Sequence, residues 1–376
     1  MDFRMTRLVL LFVFLTSVAI ARDNGVAGDI RAVPPKKTEQ LGTLTGDLSQ
    51  QLITTFSIVA YDPVTGDYGI AVQSKYFAVG DVVPFAKANI GALATQARGN
   101  PLHGPEAMKL IAEGVPAQQV IERLLAADPL ARSRQLGVVD AAGRPATYTG
   151  DQCLPWAGGT IGKHYAAQGN LLAGPHVINA MTATYEATSG DLATRLVLTI
   201  EAGQAAGGDA RGRQSAAVLV VRKNAGYLGL NDRHINLHVE DHVTPIRELK
   251  RLLNIRHAQL AAVETASYLD RVDGAKEAER KTLIKKARGA AERGIRLYKG
   301  DDHLWWLTAR ARWMDDDRAG AEEAGRTALL LSPSWPRLPE KTRAELGLPQ
   351  PLVAALRQSD GFRALWDSLA TKETVE

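Results

Sequence analysis

Between residues 54 and 253, the order of predicted elements restricts the fold: strands are joined in hairpins and helices come in pairs. A parallel sheet built from strand–helix–strand units needs a helix between successive strands instead. The order therefore predicts an α+β fold with four layers, in which antiparallel sheets are covered by helix pairs. Strands are predicted at 55–60, 68–72, 90–95, 135–139, 146–149, 215–221 and 235–239, an extended segment at 165–172, and helices at 105–113, 116–127, 176–188 and 191–201.

Composition divides the chain into two differently built regions. Of the 34 glycines among 376 residues, 26 precede residue 251, whereas five of the six tryptophans follow it. The net charge of +4 gives no reason to expect binding to nucleic acid. A single cysteine, Cys153, excludes both a disulfide framework and a cysteine-based zinc site. No glycine-rich phosphate-binding motif occurs.

The first 21 residues have the pattern of an export signal. Arg4 and Arg7 precede an apolar run over 8–20, and the run ends in the small-x-small pattern Ala19-Ile20-Ala21. An uncleaved N-terminal anchor is the alternative. Residues 22–53 have no periodicity and are interpreted as a linker or pro-segment. We expect a periplasmic or secreted protein with no membrane span after signal cleavage.

Thr55 opens the first predicted strand, directly after this segment. A free N-terminal threonine carries a nucleophilic hydroxyl and, in its α-amine, a base on one residue. An ordinary β-branched strand residue is the alternative interpretation.

Polar residues at strand ends are further candidates for a site. Ser74 and Lys75 follow the second strand, where they could lie beside Thr55. Asn170 lies between apolar neighbours and must be hydrogen-bonded, either to backbone or to a developing oxyanion. Asp209 and Arg213 lie in a glycine-rich turn that could hold a carboxylate. Surface loops are the alternative for Lys75 and for this turn.

Residues 234–242 alternate His, Asn, His, Glu and His at every second position. This spacing puts the five side chains on one face of a strand and could suggest a metal site. Because no further ligand cluster and no HExxH motif accompany it, we interpret it as an exposed strand face and expect neither a metal nor another cofactor.

Many short blocks between residues 54 and 253 together resemble the DUF1028 family. That family is regarded as similar to N-terminal-nucleophile (Ntn) hydrolases, which have an αββα sandwich. The resemblance rests on Thr55–Ala60, Asp62-Pro63, Thr65-Gly66, Ala71–Ser74, Val79-Gly80, Val83-Pro84, Gly91-Ala92, Ala94–Gln96, Pro155–Gly158, Gln168–Leu172, Gly207–Asp209, Gly212–Ser215 and Asp241-His242.

The resemblance implies a catalytic Thr55 and an Ntn-hydrolase-like sandwich. Ser74 falls where related enzymes place an assisting aspartate. Asn170 and a backbone N–H near Gln96 would stabilise an oxyanion, and Arg213 would hold a substrate carboxylate. Signal cleavage leaves about 30 residues ahead of Thr55, so either a further cleavage occurs or the amine is blocked. Thr54-Thr55 leaves open which threonine such a cleavage exposes.

From Thr244 onwards the chain is helical. Ala287 and Gly294 recur 34 residues later as Ala321 and Ala328, which resembles tetratricopeptide (TPR) spacing. We predict a TPR-like helical domain over 255–376, with tryptophans in its core. Its helices are predicted at 245–253, 257–272, 278–298, 304–314, 318–331 and 351–369.

Two hypotheses follow. The first is an exported Ntn-type hydrolase of a small amide or peptide, whose tail binds a protein or peptide or forms a homo-oligomer. The second is a non-catalytic binding or scaffold protein that uses the sandwich and the TPR-like surface.

Overall fold

The computed structural model describes residues 54–371. Strands and helices are mixed up to Val239, and only helices follow. The strands are β1 Thr55–Asp62, β2 Asp67–Ser74, β3 Pro84–Lys87, β4 Gly91–Ala97, β5 Arg134–Val139, β6 Pro145–Thr149, β7 Gly158–Gly162, β8 Tyr165–Gly169, β9 Ser215–Val221 and β10 Arg233–Val239. The helices are α1 His103–Ala112, α2 Ala117–Ala126, α3 His176–Ala187, α4 Leu192–Ala205, α5 Pro245–Val272, α6 Glu277–Leu297, α7 Asp302–Met314, α8 Arg318–Leu331, α9 Glu340–Glu345, α10 Gln350–Leu356 and α11 Asp360–Ala370.

Two antiparallel sheets form the first region, in agreement with the predicted α+β class. Six strands pair in the order β10-β9-β2-β1-β8-β7, and four in the order β3-β4-β5-β6. The predicted hairpin joins β1 to β2 through a turn in which Gly66 takes a φ of 76° and Asp62 Oδ1 accepts a hydrogen bond from Val64 N–H at 2.9 Å. Gly66 suits this turn because glycine adopts positive φ without steric cost.

Alternation of side chains along β1 assigns its two faces to different cores. Phe56 and Ile58 pack with residues of α3 and α4, whereas Val59 packs between the two sheets. On the four-stranded sheet, Leu93 and Val138 pack against α1 and α2. Three successive apolar layers result: helix on sheet, sheet on sheet, and sheet on helix.

Two short strands were not predicted. β3 is only half-buried and has four residues, and β7 has the sequence GGTIG with an exposed middle. Neither carries the apolar alternation that identifies a strand.

Helix α5 is one continuous helix of 28 residues, so the predicted break between 253 and 257 is wrong. It contacts β9, β10, α4, α6 and α7. Ile246, Leu249 and Leu253 belong to the core beside the six-stranded sheet, whereas residues from Ala258 to Leu269 also join the core of the helical region. The apolar side of α5 changes where its packing partners change, and in the sequence such a change resembles the end of a helix. The predicted domain boundary at residue 254 lies inside this helix.

The helical region has its own apolar core, to which three tryptophans contribute. Trp306 is fully buried, with its ring centroid 5.6 Å from that of Trp335, and Trp366 packs on Phe362. The predicted helix over 351–369 is instead two helices, α10 and α11. The Ser359 side chain caps the second helix by accepting from Phe362 N–H.

Within residues 54–371, no helix is long and apolar enough to cross a bilayer. The predicted signal peptide over 1–21 and linker over 22–53 lie outside the described residues.

Candidate functional site

Polar side chains gather between the two sheets at one end of β1. Thr55 and Ser57 share the face of Val59, and Ser74 is the β2 residue paired with Thr55. The opposite sheet contributes Gln96 and Gln135, which pair with each other across β4 and β5. Strand register therefore accounts for the convergence of residues that are far apart in sequence.

Ser74 lies between the Thr55 hydroxyl and the carbonyl of the preceding residue. Thr55 Oγ1 donates to Ser74 Oγ at 3.1 Å, and Ser74 Oγ donates to the Thr54 carbonyl oxygen at 2.6 Å. All three residues are buried. The hydroxyl of one residue and the carbonyl of the peptide bond before it are thus joined through one serine.

Asp209 and Arg211 form a second group of contacts around Thr54. Arg211 donates from its guanidinium to the Thr54 carbonyl oxygen at 3.1 Å and to Asp209 Oδ2 at 2.9 Å. Asp209 also accepts from Thr54 Oγ1 at 3.1 Å and from Lys75 N–H at 3.4 Å. A cation and a hydroxyl therefore both meet the Thr54 carbonyl, the arrangement that would stabilise negative charge on that oxygen.

The Thr55 carbonyl is held from the other side. Asn170 N–H donates to it at 3.0 Å and Gln96 Nε2 at 3.2 Å. The Asn170 side chain donates to Gln135 Oε1 at 2.9 Å, and its Oδ1 is buried without a hydrogen-bond partner among the described residues. Asn170 and Gln96 thus fix the backbone of Thr55 in this structure.

Amide and hydroxyl side chains continue this arrangement into the space between the sheets. We call Ser57, Gln96, Gln135, Gln168 and Asn170 the intersheet polar network. Ser57 Oγ donates to Gln96 Oε1 at 2.6 Å and accepts from Gln168 Nε2 at 2.7 Å. Gly137 leaves room for this network, since a Cβ there would lie 2.2 Å from Gln168 Oε1. Buried hydrogen bonds of this kind hold side chains in fixed positions.

A buried ion pair fixes the loop after β4. Asp128 accepts from Arg134 at 2.8 Å and lies 3.0 Å from His103 Nε2. Burial lowers the pKa of His103, and the nearby Asp128 charge offsets this only in part. Burial opposes ionisation of Asp128, but hydrogen bonds from Arg134, Leu130 N–H and Asn100 outweigh it, and the pKa of Asp128 is lowered.

The candidate site residues from the sequence fall into two sets. Thr55, Ser74, Gln96, Asn170 and Asp209 are brought together, whereas two predicted residues are not part of these contacts. The Lys75 side chain is exposed, and only its backbone reaches Asp209; Arg213 lines a separate cavity of about 300 Å³ beside α4 and α5.

Arg211 was missed by sequence reasoning, although it lies in the same turn as Arg213. The two-residue spacing from Asp209 indicates a local turn, but the direction of the guanidinium follows only from the geometry of that turn. Asp209 Oδ1 accepts from Arg211 N–H at 2.9 Å, a local turn that aspartate commonly forms two residues ahead. This turn directs the guanidinium of Arg211 to Thr54.

Side chains that offer metal ligands also cluster, but elsewhere. Within residues 54–371, atoms of Asp81, His238 and Glu240 lie within 4.8 Å of one another. They include two of the alternating residues from 234–242 and lie at the edge strand β10, not among the partners of Thr55.

Comparisons with known proteins give the following. The chain is similar to protein SPO2555 from Silicibacter pomeroyi, whose crystal structure matches it with a TM-score of 0.49 at 28% identity. This match covers 53% of the present chain and 88% of the other. No curated protein matches the sequence. The model of DUF1028, a family of unknown function, matches residues 55–249, which is more than half of the chain, and the protein therefore belongs to the DUF1028 family.

Proposed function

We propose that residues 54–253 form an Ntn-hydrolase-like αββα sandwich in an exported amide hydrolase, with Thr55 as nucleophile. In this proposal the Thr54–Thr55 peptide bond is cleaved first, and the freed Thr55 amine then serves as the base. The observation that carries it is the pair of donors on the Thr54 carbonyl oxygen, Ser74 Oγ at 2.6 Å and Arg211 at 3.1 Å.

The cleavage step follows from these contacts. Thr55 Oγ attacks the Thr54 carbonyl carbon, its proton is transferred to the Thr55 nitrogen, and the C–N bond breaks to give an ester. Water then hydrolyses this ester, which leaves a Thr54 carboxylate and a free Thr55 amine and hydroxyl. The Arg211 guanidinium and the Ser74 hydroxyl stabilise the negative oxygen that forms in both steps.

For the mature enzyme, Thr55 would attack an amide substrate after its own amine removes the hydroxyl proton. Asn170 and Gln96 hold its backbone in place. Arg213 and Lys75 remain the predicted contacts for a substrate carboxylate. The TPR-like tail over 255–376 would bind a protein or peptide partner or a second copy of the chain.

Intact-mass analysis of the full chain, expressed with its export signal, tests the proposal. We expect a mature form that begins at Thr55, retained in Thr55→Ser and lost in Thr55→Ala. Arg211→Ala should slow the cleavage roughly 100-fold, as for loss of one oxyanion donor. Arg213→Ala is the matched control from the same turn and should be cleaved at the normal rate.

A protein that keeps residues ahead of Thr55 indefinitely, and begins near Arg22, would contradict the proposal. It would favour the second hypothesis, a non-catalytic binding or scaffold protein. A mature form that begins at Thr54 would instead move the nucleophile by one residue.

A further inference from the structure

We propose that Asp81, His238 and Glu240 form a binding site for a divalent metal ion of the zinc type. The three residues come from the short turn after β2 and from the end of β10. This proposal is independent of the function proposed for Thr55. It replaces our expectation that the alternating residues 234–242 are only an exposed strand face.

The spacing of the three side chains fits metal coordination better than direct hydrogen bonding. His238 Nδ1 lies 3.4 Å from Glu240 Oε1 and 3.6 Å from Asp81 Oδ1. Both distances exceed the usual 2.7–3.2 Å range of an N–H···O bond. Ligands bound at about 2.0–2.1 Å around a tetrahedral ion lie roughly 3.3–3.4 Å from one another.

The other ring nitrogen of His238 supports the same conclusion. His238 Nε2 lies 3.1 Å from Asn236 Oδ1, an acceptor, so the ring proton belongs on Nε2. In the neutral ring, the lone pair of Nδ1 then faces two carboxylate oxygens. Two carboxylate oxygens that converge on this nitrogen favour a cation between the three groups, and a metal ion there would accept the Nδ1 lone pair. A fixed tautomer through the remote nitrogen is also the usual support of a metal-bound histidine.

Charge and access are consistent with a cation at this point. Glu240 Oε2 is buried without a hydrogen-bond partner, and within residues 54–371 neither carboxylate forms a salt bridge with lysine or arginine. Gly80 gives the imidazole room to pack against the turn, since a Cβ there would lie 2.7 Å from Nδ1. The exposed Asp81 leaves the site open to a coordinated water.

An ion here would fix the segment after β2 against β10. Ala78 N–H already donates to the Glu240 carbonyl at 3.1 Å, and Val79 N–H donates to Ser215 Oγ at 3.2 Å. The same segment begins with Lys75, whose N–H reaches Asp209. The metal would therefore stabilise one wall of the region around Thr54.

Calorimetric titration of ZnCl₂ into the tag-free, chelator-treated full chain tests the site. We expect one equivalent to bind, with affinity lowered at least tenfold in Glu240→Gln and His238→Ala. Asn236→Ala, which removes only the support of the ring, should weaken binding by about tenfold. His242→Ala replaces a histidine two residues after Glu240 and should bind as the wild type does.

Thermal melting separates loss of binding from loss of folding. Zinc should raise the melting temperature of the wild type and of His242→Ala, but not that of Glu240→Gln, whose metal-free form should melt normally. Absence of a saturable equivalent in the wild type would overturn the proposal and leave an imidazolium that pairs with two carboxylates. Equal loss of affinity in His242→Ala would also overturn it.

Discussion

His103 shows how burial sets the ionisation of a single side chain in this protein. It is 4% exposed and lies against an aspartate that Arg134 already neutralises. Because Asp128 is paired in this way, its charge compensates only in part for the desolvation of a second cation, and the pKa of His103 is lowered. The histidine is thus neutral in the folded protein at neutral pH and donates from Nε2 to Asp128.

This leads to a prediction about pH. As pH falls below the ordinary histidine value of 6.5, the unfolded chain takes up a proton that folded His103 resists, so stability decreases. Between pH 7.5 and pH 5.5, the melting temperature should therefore fall further in the wild type than in His103→Gln. His242→Gln, which changes an exposed histidine, should follow the wild type. Equal losses in all three proteins would contradict the assignment.

At the residue scale, the sequence predicted which strand ends carry the polar residues that cluster in the structure, but not which side chains contact one another. Thr55, Ser74 and Asn170 could be identified because each is a polar residue at the end of a strand. The choice of Arg213 over Arg211 could not be decided, because it depends on the turn geometry of Asp209. Of the intersheet polar network, Gln96 and Asn170 were predicted as site residues, whereas the contacts that join them to Ser57, Gln135 and Gln168 require the register of both sheets.

At the scale of elements, small residues determine how closely α6 can approach its neighbours. Gly294 is buried, and a Cβ there would lie 2.7 Å from Leu304 Cδ2 and 3.0 Å from Ala261 Cβ. Gly289 lies in the same helix, and a Cβ there meets only the end of Arg293 at 3.9 Å. Close packing therefore requires glycine at position 294 but not at position 289.

Alanine at these two positions should have opposite effects. Gly294→Ala should lower the free energy of unfolding by about 1–3 kcal/mol, because Ala261 Cβ cannot rotate away. Gly289→Ala should raise it by about 0.5–1 kcal/mol, because alanine loses less backbone entropy in a helix. Denaturant unfolding of the full chain measures both. Destabilisation by Gly289→Ala would show that this position is also packed.

Elements with a clear apolar period were predicted with nearly correct ends, for example β9 at 215–221 and α8 at 318–331. The failures have physical causes. β3 and β7 are short and half-exposed, and α5 changes packing partners halfway along. A single-sequence pattern records which face of a helix is apolar, but not that two different cores can share one helix.

At the scale of the whole molecule, α5 determines where the chain can be cut. Ile246, Leu249 and Leu253 belong to the core beside the six-stranded sheet, whereas Ala258 and Leu269 belong to the core of the tail. A fragment that ends at 254 keeps the α5 residues of the sheet core. A fragment that ends at 272 also keeps those of the tail core and exposes them to solvent, because their partners in α6 and α7 are absent.

We expect the fragment that ends at residue 254 to stay soluble and monomeric, and the fragment that ends at 272 to associate through its uncovered apolar face. Size-exclusion chromatography of the two fragments measures this difference. Aggregation of the shorter fragment would mean that residues after 254, such as the partly buried Leu260, are needed to cover the sheet core.

The continuity of α5 also controls how the tail could deliver a ligand. A helix of 28 residues is about 42 Å long and stiff, whereas a flexible linker would only raise the local concentration of whatever the tail holds. Any partner bound by the tail is therefore held at a fixed distance from the sheets and in a fixed orientation. One inserted residue near position 255 would rotate the tail about the helix axis by about 100° and shift it along the axis by about 1.5 Å.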